Sequence, residues 1–322
     1  MESLTLQHTS LNVSRLCFGT MTFGKPVDQA QATAMVDRSI DAGINFFDTA
    51  NTYQSGLSET MLGDALKGRR HQYTVATKVW ARMGEGPHDA GLSKPAILKA
   101  VEDSLRRLQT DYIDLYYLHQ PDCAVPIDES LEALHHLVQS GKVRFPASSN
   151  YAAWQVAQMQ CIAQERGYTP ASVSQSLCNL IARGIEQEFT PMARHYGVSI
   201  IAYNPLAGGL LTGKHQPQSI TPGTRFDNNK MYQDRYWHPQ DFEAVSRLSQ
   251  IARDSGRSLI SLALCWLLHH TPVSSVILGA TRMEQLDQNL AAAAEGPLSA
   301  DTLAACDRVW HNFRGTVPSY NR

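Results

Sequence analysis

Apolar positions along the chain gather into eight short runs rich in β-branched and aromatic side chains. The runs are Arg15 to Phe18, Asn45 to Asp48, Thr74 to Thr77, Ile113 to Tyr117, Val143 to Ala147, Ser172 to Gln175, Ser199 to Tyr203, and Val276 to Leu278. Such short apolar stretches predict strands covered on both faces. Between them, apolar residues recur at helical spacing, as in Ile97, Val101, Leu105 and Leu108, or Leu131, Leu134 and Val138. Ser93 before Lys94-Pro95 predicts an N-cap with proline in the first turn, and Pro126 ahead of Asp128-Glu129 predicts a second helix start. Parallel strands need crossover helices, and an eighth strand can close on the first. The pattern therefore predicts a (β/α)8 barrel, a TIM barrel, formed by residues 1–322 as a single domain. A doubly wound sheet would carry a GxGxxG turn after its first strand, which LCFGTMTFG does not supply.

Composition narrows the class. With 322 residues, 43% of them hydrophobic, the chain can bury a large core. Its 28 basic and 30 acidic residues are scattered and leave a formal charge of −2, so there is no electrostatic footprint for nucleic acid. Cys17, Cys123, Cys161, Cys178, Cys265 and Cys306 show no CxxC spacing and read as reduced thiols. The start, MESLTLQHTSLNVS, has no basic segment followed by an apolar one, and no run approaches the roughly 18 apolar residues of a membrane span. The expectation is a soluble cytoplasmic protein with no membrane partner; a homo-oligomer is compatible with it.

Barrel chemistry sits where strands end. The second predicted strand ends in Asp48 with Tyr53 in the following loop, the third in Lys78 and the fourth in His119. Three successive strands thus deliver ionisable groups to one end of the barrel. A tyrosine has a pKa of about 10, and lowering it by about two to three pH units is worth roughly 3 to 4 kcal/mol. The ammonium of Lys78 can supply that, provided Asp48 keeps it protonated. His119 would be a second donor, able to polarise a carbonyl oxygen or share the proton with Tyr53. The set reads as a general acid aimed at a carbonyl oxygen. A Schiff-base role needs a neutral lysine, which Asp48 opposes. A metal-dependent hydrolase would need an HxH at the first strand, where Gly19-Thr20-Met21 stands, so no metal is expected.

This order of residues resembles the aldo-keto reductase superfamily. LCFGTMTFG, FFDTANTYQSGLSETMLGDAL, VATK, DLYYLHQPD, SSNY, AYNPLAGGLLTGK and ILGATRMEQLDQN match its successive motifs. The resemblance implies that Asp48, Tyr53, Lys78 and His119 are catalytic and that NAD(P)H reduces a small aldehyde or ketone. It also implies that Gly19, Thr20, Met21 and Asp48 border the cofactor, that Ser149, Asn150 and Gln175 fix the nicotinamide, and that Tyr203 stacks on its ring. Asn204, Pro205, Leu206, Gly208 and Lys214 would meet the pyrophosphate. Gly279, Thr281, Arg282, Gln285, Gln288 and Asn289 would hold the adenosine end, with Thr281 and Arg282 favouring NADPH over NADH.

PLAGGLLTGK, Arg225-Phe226, QLDQNLAAAAEGPL and the ending SYNR are most similar to the aflatoxin-aldehyde and succinic-semialdehyde reductases. That branch implies an acidic substrate held by Arg225 and Arg322, since arginine forks suit carboxylates. Ala147 stands where the family commonly has glycine, a change that matters only if the backbone there needs a positive φ. The potassium-channel β subunits resemble the chain too and imply an alternative, a cofactor-carrying regulatory partner. Only about 14 residues precede the first predicted strand, too few for a long blocking segment.

Overall fold

The computed structural model describes residues 1–316. Two short strands, β1 (Ser3–Thr5) and β2 (Asn12–Ser14), pair antiparallel. Eight more close into a parallel barrel: β3 (Leu16–Gly19), β4 (Phe46–Asp48), β5 (Thr74–Val79), β6 (Ile113–Leu118), β7 (Val143–Ser149), β8 (Val173–Leu177), β9 (Ser199–Tyr203) and β10 (Val273–Leu278). Each predicted run falls on one barrel strand, and no end is displaced by more than three residues. The hairpin β1–β2 was not foreseen, because SLT and NVS are too short and polar to register as strands.

The helices α1 (Gln29–Asp41), α2 (Leu57–Ala65), α3 (Lys94–Leu108), α4 (Ile127–Gln139), α5 (Ala153–Arg166) and α6 (Phe189–Tyr196) alternate with the strands. After β9 come α7 (Lys230–Tyr236), α8 (Pro239–Asp254) and α9 (Leu259–His270); after β10 come α10 (Met283–Ala293) and α11 (Ala300–Arg314). The residues form two compact units. Met1–Ser176, Ile185–Tyr203 and Val273–Leu286 make the first, which holds the barrel strands apart from Leu177. Leu177–Gly184, Asn204–Pro272 and the described residues from Asp287 onward make the second.

The expected helix signals operate locally. Ser93 caps α3 in extended backbone with Pro95 in the first turn, and Ile97, Val101, Leu105 and Leu108 are its buried stripe. In α4 the buried leucines are Leu131, Leu134 and Leu137, so Leu137 takes the inward place expected of Val138. In the second unit α9 is buried on all sides, which fits its unbroken LISLALCWLL. None of the helices among the described residues is long and apolar enough to cross a membrane. All six cysteines are free thiols, and Cys123 and Cys161 are exposed.

Strand alternation sets what fills the barrel. Side chains two apart share a face, so Phe46 with Asp48, Ala76 with Lys78, and Leu115 with Tyr117 point inward. Asp48 lies beside Ala76 and Lys78 beside Tyr117 in the strand register. Towards the start of the strands, Leu6, Leu11 and Val13 of the hairpin join Cys17, Phe46, Ala76, Leu115 and Tyr117 in one apolar cluster. Gln7 N donates to Ser199 Oγ (2.8 Å), Ser14 N to Asn45 Oδ1 (2.7 Å), and Arg15 to Val273 O (2.6 Å). These partners stand at or just before the beginnings of β9, β4 and β10, so the hairpin closes the N-terminal end of the barrel. Ala147 is buried in β7 and is not a positive-φ residue, so its departure from glycine needs no strain.

Candidate active site

At the other end of the barrel, alternation turns Asp48 and Lys78 inward from the ends of β4 and β5, and both are almost wholly buried. Lys78 Nζ donates to Asp48 Oδ1 (2.5 Å), to Thr49 O (2.7 Å) and to Tyr53 Oη (3.3 Å). Gln175 Nε2 donates to the second carboxylate oxygen of Asp48 at 2.8 Å. Burial pushes the Asp48 carboxyl up, and Lys78 and Gln175 act against it. Burial alone would lower the Lys78 ammonium; the charge of Asp48, with Tyr53 and their hydrogen bonds, outweighs it and holds the group above the ordinary lysine range. The two groups face each other as a buried ion pair, each favouring the charged form of the other in a dry setting.

Tyr53 lies over this pair, its ring centroid 5.0 Å from Lys78 Nζ, and meets the His119 ring edge-on at 6.1 Å. Burial, helped by the Lys78 charge, drives the His119 pKa down to about 3. The imidazole is therefore neutral at physiological pH. Ser149 is buried at the end of β7, and Asn150 follows it in left-handed backbone (φ 64°). Asn150 Nδ2 donates to His119 O (2.8 Å) and Ser149 Oγ (3.1 Å), and Tyr203 Oη donates to Asn150 Oδ1 (2.7 Å). The ends of β6, β7 and β9 are thus linked through one amide.

The match to known proteins covers nearly the whole chain: the model of the aldo/keto reductase family fits residues 15–311. The chain belongs to that family. It is 36% identical to human aldo-keto reductase family 7 member A3 over 94% of this chain and 96% of that protein. It is 37% identical to human aflatoxin B1 aldehyde reductase member 2, covering 94% and 88%. A probable voltage-gated potassium channel subunit beta from Oryza sativa subsp. japonica is 35% identical, covering 92% and 93%. This aldo/keto reductase is accordingly an oxidoreductase of a family that reduces aldehydes and ketones with NAD(P)H.

Other expected site residues of the reductase lie as follows. Gly19 ends β3 where a Cβ would sit 2.6 Å from Ile277 Cγ2. Thr20 is fully buried, with its hydroxyl on Asp48 O (3.2 Å) and Ser58 Oγ (2.8 Å), while Met21 is exposed. After β10, Gly279 and Arg282 are exposed, and Gln285 Oε1 accepts from Thr281 N and Oγ1, both at 2.9 Å. Within the second unit, Gln288 is exposed and Asn289 buried. Asn204, Ala207, Gly208 and Gly209 all have positive φ, and Asn204 Oδ1 accepts from Gly208 N at 2.8 Å. A Cβ on Gly208 would stand 2.8 Å from the Tyr232 ring, so the turn is closed to side chains there. Pro205 is buried, Leu206 half-buried and Lys214 exposed. Arg225 stacks over Tyr232 with its guanidinium 5.4 Å from the ring centroid, and Arg322 lies outside the described residues.

Two contributors escaped the sequence reading. Thr49 acts through a backbone carbonyl, which any residue type supplies. Glu59, fully buried on α2, reads in sequence as an exposed helix carboxylate. α2 begins Leu57-Ser58-Glu59, and nothing in that spacing marks the carboxylate as buried.

Proposed function

We propose that the chain is an NADPH-dependent reductase of aldehydes and ketones in which Tyr53 donates the proton. The observation that carries this reading is the Lys78 ammonium, which touches Asp48 Oδ1, Thr49 O and Tyr53 Oη together. Negative charge that grows on the phenol oxygen as its proton leaves meets a fixed ammonium in a site from which water is largely excluded. Asp48 keeps that ammonium charged. His119, being neutral, donates a hydrogen bond to the carbonyl oxygen and polarises it without storing the proton.

The donor set fits a nicotinamide cofactor. Ser149, Asn150 and Gln175 offer the hydroxyl and amide groups that a carboxamide pairs with, and Tyr203 offers a ring to stack on. Thr281 and the exposed Arg282 suit a 2′-phosphate. By itself, the glycine turn beginning at Asn204 keeps its backbone open to an anion, which suits a pyrophosphate. Bound there, NADPH supplies the hydride; the chain supplies position, charge and the proton.

The test is loss of reduced-nicotinamide absorbance on mixing protein, NADPH and 4-nitrobenzaldehyde or a dicarbonyl, with NADH in parallel. Turnover with NADPH preferred supports the reading. Tight NADPH binding without turnover across an aldehyde panel would favour a regulatory role, a reading supported by the potassium-channel-type relative. A preference for carboxylated aldehydes, proposed from the places of Arg225 and Arg322 in the sequence, fails if removing either raises KM equally for succinic semialdehyde and an uncharged aldehyde.

A further inference from the structure

The residues after Tyr53 adopt a backbone that side chains rarely tolerate. Gln54 (φ 49°), Ser55 (φ 54°) and Gly56 (φ 92°) follow one another through left-handed conformations. For the first two this is unfavourable, so the surroundings must hold the turn in place.

They do so through α2, whose second and third residues, Ser58 and Glu59, are both fully buried. Ser58 Oγ donates to Thr20 O (2.7 Å) and lies 2.8 Å from Thr20 Oγ1 and 3.0 Å from Thr49 Oγ1, at the ends of β3 and β4. Glu59 reaches in two directions. Its Oε1 accepts from Thr77 Oγ1 (2.5 Å), on the outward face of β5 next to Lys78, and its Oε2 accepts from Arg107 Nε (2.6 Å) in the last turn of α3. The Arg107 side chain passes against the strained turn: a Cβ on Gly56 would sit 2.7 Å from Arg107 Cδ and 2.8 Å from Nε. A few residues on, a Cβ on Gly63 would meet Leu108 O at 2.7 Å, so α2 and α3 are in backbone contact.

We propose that Glu59 and Arg107 are positioning residues that clamp Tyr53 against Lys78. One carboxylate joins the strand that carries Lys78 to the arginine that supports the turn carrying Tyr53. Both oxygens must accept, so glutamine, equal in shape, loses one arm. The Lys78–Tyr53 contact at 3.3 Å is long for a hydrogen bond, and a small drift of the turn breaks it. This proposal rests on Tyr53 being the proton donor.

The experiment compares Glu59→Gln, Arg107→Lys and Gly56→Ala with the parent protein, using 4-nitrobenzaldehyde at saturating NADPH. Expected is a fall in kcat of about 10- to 100-fold, with the Kd for NADPH, read by fluorescence quenching, within about twofold. The basic limb of the kcat–pH profile should also move up by about 0.5 pH unit or more, because a phenol drawn away from an ammonium loses support for its charge. An unchanged kcat in a folded Glu59→Gln overturns the proposal. So does a lower kcat with an unmoved limb, or one matched by lost NADPH affinity. If melting by circular dichroism shows Glu59→Gln unfolded, Arg107→Lys and Gly56→Ala decide by the same readouts. Activity surviving Tyr53→Phe overturns the proton-donor reading instead, whereas an inactive Tyr53→Phe beside a fully active Glu59→Gln overturns only the clamp.

Discussion

The two ends of the barrel are built from the same strands to opposite specifications. At the N-terminal end Leu6, Leu11 and Val13 join Cys17, Phe46 and Leu115 in an apolar plug. At the C-terminal end, two residues further along β4 and β5, the inward positions carry Asp48 and Lys78, also buried. The plug gains stability from apolar area removed from water. The charged end cannot, since burying an ion pair costs desolvation that mutual attraction only partly offsets. The difference teaches where each end is vulnerable: one stores stability, the other holds a buried ion pair in place at the site proposed for the reaction.

The sharpest break of that comparison is Tyr53→Phe, which should reduce turnover about 10²- to 10⁴-fold and leave NADPH binding and melting temperature nearly unchanged; retained turnover would sink the assignment of the acid. Next, Lys78→Met should cost about 3 to 5 kcal/mol in chemical denaturation, because Asp48 is left buried without its counter-charge, and should abolish turnover as well. Leu11→Ala should cost about 2 to 5 kcal/mol with kcat nearly unaffected in the folded fraction. If kcat fell along with stability there, the two ends would be coupled rather than separate.

A smaller effect concerns pH. His119 titrates at about 3 in the folded chain, below its ordinary 6.5. As pH falls from 6.5 towards 3, the unfolded chain takes up a proton that the folded one refuses, so this residue's contribution to stability is complete above 6.5 and is lost downward through that window. Denaturation midpoints of His119→Asn should therefore fall less steeply with acid than those of the parent, and Leu11→Ala should keep the parental slope. The smallest change is expected from Tyr116→Phe, which removes a buried hydroxyl with no hydrogen-bond partner among the described residues and should alter stability by less than about 1 kcal/mol.

The strands and the residues at their ends were legible because a buried parallel strand is a continuous apolar run, and the first polar group after it marks the mouth. Asp48, Lys78 and His119 were found in that way. The hairpin was not, since three-residue strands leave no periodicity to read. Neither were Gln54 and Ser55, whose left-handed backbone is imposed by α2 and α3 from outside the turn. Arg107 and Glu59 look like surface charges on amphipathic helices; only the folded chain brings them together under Gly56.

The plug also has a kinetic meaning. Because Leu6, Leu11 and Val13 stop the barrel at one end, whatever reaches Asp48 and Lys78 enters and departs by a single doorway. In such a blind alley the deeper of two guests would have to arrive first and leave last, an order that product-inhibition kinetics would read directly.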